Sequence, residues 1–437
     1  MLESITAPIS PRERTALIVY MFLCTASIGF LQPFVPLYFA SAGLNRWQIG
    51  LVTGLGTGLA LLVQPLMGRL SDRMSSPRPL MSVAGVVAGI AYMSYRSVQG
   101  MGGFILFTAL GTNAMFFLST AGAVLVGRMT VGSNQRGAIY AKYRIWGSVG
   151  YILFSLVSGR IVSQGQVGGA ILGREQLNTL FTFGPLIFFV IAIVSYFVPD
   201  MGKRLQEGIE RKTPSRQRAE LPLNMKYFLA AYFLYMFGLY GASAYLSLYM
   251  RSLHATAYWI TGMFSAGVFC EVLVMTQVGR FADKYGRRPA LAATFLLMPL
   301  RLLLYIPATG PAWVVFVQIL HGFNFGIMGT VAIVFINDIA SETNRATAQS
   351  RLSATAGLAT AIGPPLCGWL SQNWGFNGMF ALMSVAGAGG AAIFMLWVQE
   401  SHSATASLKE EGPRFMRPLL RLLSAPPRLI QSGKRDS

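Results

Sequence analysis

The stretch Ala257–Pro289, AYWITGMFSAGVFCEVLVMTQVGRFADKYGRRP, changes character once, at Gly279, and that change decides the fold. From Ala257 to Gly279 it is a long, mainly apolar run whose single charge is Glu271. From Arg280 to Arg288 it is short, basic and punctuated by Gly286. An α-helix rises 1.5 Å per residue, so about 20 apolar residues cross the ~30 Å of bilayer hydrocarbon. A membrane-spanning helix followed by a charged loop is the reading this stretch demands.

The same alternation recurs along all 437 residues. Apolar blocks fall at 16–39, 48–70, 79–97, 103–127, 146–163 and 180–198 in the first half. They fall at 226–250, 257–279, 290–307, 312–337, 352–371 and 378–398 in the second. Hydrophobic residues make up 53% of the chain and charged ones 12%, too few charges to cover a water-soluble fold of this size. The expectation is an all-α membrane protein with twelve transmembrane helices. The first block is too long for a signal-peptide core and has no cleavage site behind it, so it reads as a retained helix.

The net charge of +19 raises the question of nucleic acid, and its distribution excludes it. Lys and Arg are nearly absent from the long apolar blocks and gather in the gaps. With the N-terminus inside, 29 of the 35 basic residues fall on the inner side. Only Arg46, Arg96, Arg160, Arg174, Arg251 and Arg301 fall on or toward the outer one. This bias places both termini in the cytoplasm and the protein in the cell (inner) membrane. Cys24, Cys270 and Cys367 stand singly in apolar blocks, with neither metal-ligand spacing nor a disulfide framework.

One long charged linker, beginning DMGKRLQEGIERKTPSRQRAE at Asp200, divides the chain into similar halves. The expected domains are a six-helix bundle over 1–200, a linker over 201–224, a second bundle over 225–400 and a basic tail over 401–437. Related loops stand at corresponding places. After the second block come Gly68, Asp72 and Arg73; after the eighth come Gly279, Asp283, Lys284, Gly286, Arg287 and Arg288. Carboxylates at such helix ends can cap a neighbouring helix or pair with Arg, holding one side closed until the contacts break. Gly68, Asp72, Arg73, Gly279, Asp283, Arg287 and Arg288 are therefore candidate gating residues. A duplicated six-helix unit is what a transporter needs to rock one bundle against the other.

The second loop resembles the signature loop of the major facilitator superfamily, Gly-x-x-x-Asp-(Arg/Lys)-x-Gly-Arg-(Arg/Lys), at every defined position. The first copy departs from it: Ser75, Ser76 and Pro77 replace the Gly and both basic residues, and Arg78 falls one place late. Glu271-Val272-Leu273, Leu300-Arg301-Leu302-Leu303-Leu304-Tyr305, Leu320-His321-Gly322-Phe323-Asn324-Phe325-Gly326 and Tyr143-Arg144-Ile145-Trp146-Gly147-Ser148 are similar to the branch with phenylpropionate, nucleoside and lactose proton symporters. Lactose-type permeases carry an acid, an Arg and a His on helices eight, nine and ten, matched here by Glu271, Arg301 and His321. Where they carry a further Glu one turn after the His, Asn324 stands here, and Thr112 to Tyr143 contains no acid to hold a sugar. The resemblance implies the two-bundle fold, proton-coupled symport and a solute other than lactose.

The residues argue for coupling on their own account. Glu271 is the one acid well inside an apolar span, and a mid-membrane carboxyl costs about 2.5–3.5 kcal/mol on insertion scales, so it calls for a partner or a task. Burial favours its protonated form and a nearby Arg its charged form, so moving it between those settings loads and releases a proton. Arg301 and His321 are the partners within reach of that scheme; a static Glu271–Arg301 ion pair is the plain alternative. Polar groups able to contact a solute are Gln32 beside Pro33, Asn113, Tyr235 and Asn324. No Gly-x-x-x-x-Gly-Lys loop occurs, which argues against ATP-driven transport, and no metal or cofactor is expected. The chain reads as a transporter, not an enzyme, acting as a monomer on protons and a small-molecule substrate. The competing reading is a proton-coupled efflux antiporter for drugs or metabolites; the Gly-Pro signature that antiporters of this superfamily often show in helix five lacks its proline at Gly147-Ser148-Val149-Gly150.

Overall fold

The structure is a computed structural model that describes residues 10–74, 76–129, 136–164, 173–200, 222–341 and 344–401. Sixteen helices follow one another with no strand among the described residues. In chain order they are α1 (Pro11–Leu31), α2 (Val35–Ser41), α3 (Arg46–Gly58), α4 (Ala60–Arg73), α5 (Arg78–Ser94), α6 (Met101–Met129), α7 (Arg136–Gln164) and α8 (Arg174–Val194). Then come α9 (Leu223–Ser243), α10 (Leu246–Ser252), α11 (Ala257–Tyr285), α12 (Arg287–Tyr305), α13 (Pro311–Val317), α14 (Ile319–Ile339), α15 (Arg345–Asn373) and α16 (Gly375–Trp397).

Each of the twelve expected apolar blocks falls on a helix or a broken helix. Among the described residues, nine spans are long and apolar enough to cross a membrane, or ten when the 43° bend between α9 and α10 is counted as one span. The blocks at 79–97 and 352–371 are present as α5 and α15, but α5 is short at 17 residues and α15 is rich in Ala, Gly, Ser and Thr. Length and hydropathy therefore do not single them out. The protein is an all-α, multi-pass membrane protein. Most of the linker over 201–224 and all but Ser401 of the 401–437 tail lie outside the described residues.

Local chemistry sets the helix ends. Ser10 and Glu13 form a capping box that starts α1, and Asn45 with Gln48 forms another at α3. Pro33 and Pro36 lack the N–H that would continue α1 and coincide with its break before α2. Gln318 marks a second break, between α13 and α14, where its backbone turns without a side-chain cap.

The chain divides into two compact units, Met1–Thr213 with Ser247–Ser265, and Pro214–Leu246 with Ala266–Ser437. Within the first, α1 packs on α7 and α8, and α5 packs on α6 and α8. Within the second, α9 packs on α15 and α16, and α12 packs on α14 and α16. The first and third spans of each half thus share its sixth, so the sequence repeat is also a repeat of neighbours.

Candidate functional site

The candidate groups of the second unit collect where α12, α14 and α11 meet. On α12, Arg301 and Tyr305 are four residues apart, so they lie one above the other on the face that also buries Met298 and Leu302. Arg301 is only 1% exposed. Its Nε donates to the Tyr305 hydroxyl at 2.9 Å and its Nη2 to Gln318 Oε1 at 2.8 Å. Tyr305 in turn donates to the same Gln318 oxygen at 2.9 Å, closing a triangle. Arg301 Nη1 has no hydrogen-bond partner. The guanidinium is held by neutral groups, which departs from the plain alternative of a static Glu271–Arg301 ion pair.

The first unit contains the same arrangement without the cation. Tyr95 and Thr108 stand at the same offset before Tyr305 and Gln318, and their hydroxyls are 2.7 Å apart. Ala91, buried, occupies the place of Arg301. The tyrosine pair therefore belongs to the repeat, while the arginine is an addition to it.

One turn beyond Gln318, His321 stacks on Phe325 at 4.2 Å between ring centroids, and Phe325 meets Tyr240 edge-on at 5.9 Å. His321 Nδ1 has no hydrogen-bond partner, and the imidazole is near enough to Arg301 for the two to interact electrostatically. Small residues allow the approach of α11. A Cβ on Gly322 would stand 2.6 Å from both Cys270 Cβ and Glu271 N, and one on Gly267 would meet His321 Cδ2 at 3.0 Å. Glu271 is half-buried on α11 and interacts electrostatically with Tyr240.

Of the expected solute contacts, Tyr235 and Asn324 are fully buried and joined. The Tyr235 hydroxyl lies 2.9 Å from Thr294 Oγ1 and donates to the Asn324 carbonyl at 3.1 Å. Asn324 Nδ2 donates to Thr294 O at 3.3 Å, while its Oδ1 has no partner. In the first unit, Asn113 spends its amide on Gly56 O (3.0 Å) and Ala109 O (2.7 Å), tying α6 to α3. Gln32 is exposed and accepts from Tyr151 at 3.3 Å.

The loop residues form a separate cluster at the Arg-rich end of the second unit. Arg287 Nη1 pairs with Asp283 at 2.8 Å, and its Nε lies 3.3 Å from Asp338, out of hydrogen-bond alignment. Glu400 accepts from the backbone N–H groups of Arg287 (3.2 Å) and Arg288 (3.0 Å), satisfying the start of α12. Arg288, 2% exposed, donates through Nε to Val398 O at 2.8 Å and through Nη2 to Met395 O at 2.9 Å. Gly286 has φ +101°, and a Cβ there would run into the Glu400 carboxylate. In the first unit, Arg78 fills the role of Arg288: its Nε donates to Val198 O at 2.8 Å, with Glu13 3.8 Å from Nη2. Gly68 and Gly279 face open space, with nothing within 4 Å of a built Cβ. Arg73 is exposed, and the Asp72 side chain lies outside the described residues.

The contacts that sequence reading missed are those of Gln318, Tyr305 and Glu400. Their signals were weak: Gln318 and Tyr305 look like stray polar residues at block ends, and Glu400 like the start of the tail.

A family model described as "MFS_1 like family" matches residues 15–382. The chain belongs to this family of major facilitator transporters. The transporter is 22% identical over 398 residues to the maltose permease of Geobacillus stearothermophilus, covering 90% of this chain and 96% of that one. It is 25% identical over 373 residues to the probable 3-phenylpropionic acid transporter of Escherichia coli, covering 82% and 91%. Among solved structures, a point mutant of the nucleoside transporter NupG superposes with a TM-score of 0.72 at 16% identity, covering 87% of this chain and 98% of that chain. That likeness establishes the fold.

Proposed function

We propose that the transporter is a proton-coupled symporter that brings a small organic solute inward by alternating access. Glu271 carries this reading: a carboxylate within α11, one of the spans long and apolar enough to cross a membrane. Such a group costs about 2.5–3.5 kcal/mol on insertion scales and is retained where it has a task. With Arg301 held by Tyr305 and Gln318, Glu271 is the group that takes up and releases the proton, on the turn of α11 against which Gly322, next to His321, packs. The Asp283–Arg287–Asp338 cluster serves as a gate whose ion pairs break and reform through the cycle.

The remaining assignments follow from the sequence. The bias of basic residues places both termini in the cytoplasm and the chain in the cell's inner membrane. The bundles are 1–200 and 225–400, the linker 201–224 and the tail 401–437. A single chain carries both halves that alternating access requires, so the monomer is the working unit.

The test is uptake into proteoliposomes under an imposed pH gradient. Solute accumulation driven by the gradient, lost in Glu271→Gln while solute exchange persists, is the expected result. Gradient-driven accumulation that survives the substitution intact removes Glu271 from the mechanism.

A further inference from the structure

The Arg301 guanidinium is buried, and its hydrogen-bond partners are neutral. The described carboxylates of the second unit are Glu271, Asp283, Asp338 and Glu400. Asp283 and Asp338 are paired with Arg287, and Glu400 is committed to the start of α12, so those three are spoken for at the loop end. Glu271 makes no ion pair with Arg301. Buried charges are as a rule paired, so a buried cation among neutral partners points to an anion that completes the site.

Three further observations favour an anion from outside. The equivalent Tyr95–Thr108 pair forms in the first unit with Ala91 in the arginine's place, so Arg301 is not needed to join the helices. The triangle with Tyr305 and Gln318 fixes Nε and Nη2 while leaving the Nη1 N–H groups unspent. His321 Nδ1, near the same charge, is likewise without a partner.

We infer that Arg301 Nη1 is the seat of the solute's negative group, and that the transported solutes are organic carboxylates. Tyr305 and Gln318 are then positioning residues that aim the guanidinium. This deepens the transport reading and rests on it for the solute's route, but the binding step is separable from proton coupling. A carboxylate taken up with a proton crosses with less net charge, which suits a site holding both Arg301 and Glu271.

The experiment uses the purified full chain in detergent, without any gradient, and acetate as the smallest carboxylate probe. Acetate at about 100 mM is expected to raise the melting temperature about 2–4 °C above equimolar acetamide or chloride. Arg301→Gln should abolish that difference, and Arg301→Lys should keep part of it. Gln318→Glu supplies an internal counter-charge beside Nη2; it should raise the melting temperature without acetate and remove the response to it. Acetate and acetamide acting alike on the wild type overturn the inference, as does an acetate response that persists in Arg301→Gln or Gln318→Glu. Since Glu271→Gln should retain the acetate response, loss of coupling and loss of anion binding are told apart.

Discussion

Arg78 and Arg288 hold the same post in the two halves of the chain. Each guanidinium donates through Nε, at 2.8 Å, to the carbonyl of the valine that follows the last helix of its half, Val198 or Val398. Each therefore pins the start of that half's third span to the end of its sixth, where unsatisfied carbonyls would otherwise remain. The surroundings differ: the Arg78 side chain is 26% exposed, while Arg288 is 2% exposed and also bonds Met395 O.

Arg288→Ala is accordingly expected to cost about 2–3 kcal/mol, because it leaves two carbonyls without their donor. Arg78→Ala should cost about 1 kcal/mol, since water reaches the vacated site. Melting of the purified protein in detergent measures both, and equal losses would contradict the asymmetry.

Gly286 and Gly279 belong to the same loop motif but should respond in opposite ways. At Gly286, φ is +101° with ψ 158° and an added Cβ meets Glu400, so Gly286→Ala is expected to destabilise by about 1–3 kcal/mol from backbone strain alone. At Gly279, inside α11 with open space around it, Gly279→Ala should be neutral or stabilise by up to about 1 kcal/mol. Paired thermal unfolding curves decide the matter.

Gly322 sets the distance between α14 and the Glu271 turn of α11. Gly322→Ala places a methyl 2.6 Å from Cys270 Cβ and Glu271 N, so the helices must part, at about 1–3 kcal/mol. Because the shift moves Glu271 itself, gradient-driven uptake should fall further than solute exchange. A variant that unfolds later than wild type would be evidence against this packing.

Tyr235→Phe tests whether this ring meets the solute or the protein. Its hydroxyl is spent on Thr294 and the Asn324 carbonyl in a fully buried position. The expected outcome is a stability loss of about 1–2 kcal/mol with an unchanged KM for uptake. A raised KM at unchanged stability would return Tyr235 to the solute site.

The spans were legible because hydropathy and length act on whole blocks, and every expected block lies on a helix. The contacts of the second loop follow from its residues, since Asp283 pairs with Arg287 and Arg288 bonds a carbonyl, as charges at a helix end do. Arg78 was visible only as a residue one place late; the extra residue falls in the loop between Asp72 and Arg78, so Arg78 stands before Arg288 by the same offset as Tyr95 before Tyr305 and reaches the equivalent carbonyl, Val198 O. Gln318 and Tyr305 could not be read as a clamp, since nothing in their spacing joins two different helices to one guanidinium. Chain order likewise hid that Ser247–Ser265 clusters with the first unit, because a boundary drawn along a sequence cannot follow segments that cross it in space.

Glu400 and Ser401 look like the beginning of an expendable tail, yet Glu400 receives two backbone N–H groups of α12 and Ser401 reaches Asp338 at 3.4 Å. Anyone trimming or tagging the C-terminus therefore has a fixed limit. A cut or fusion junction placed before Glu400 strips the carboxylate from the start of α12, whose Arg287 lies 113 positions earlier in the chain.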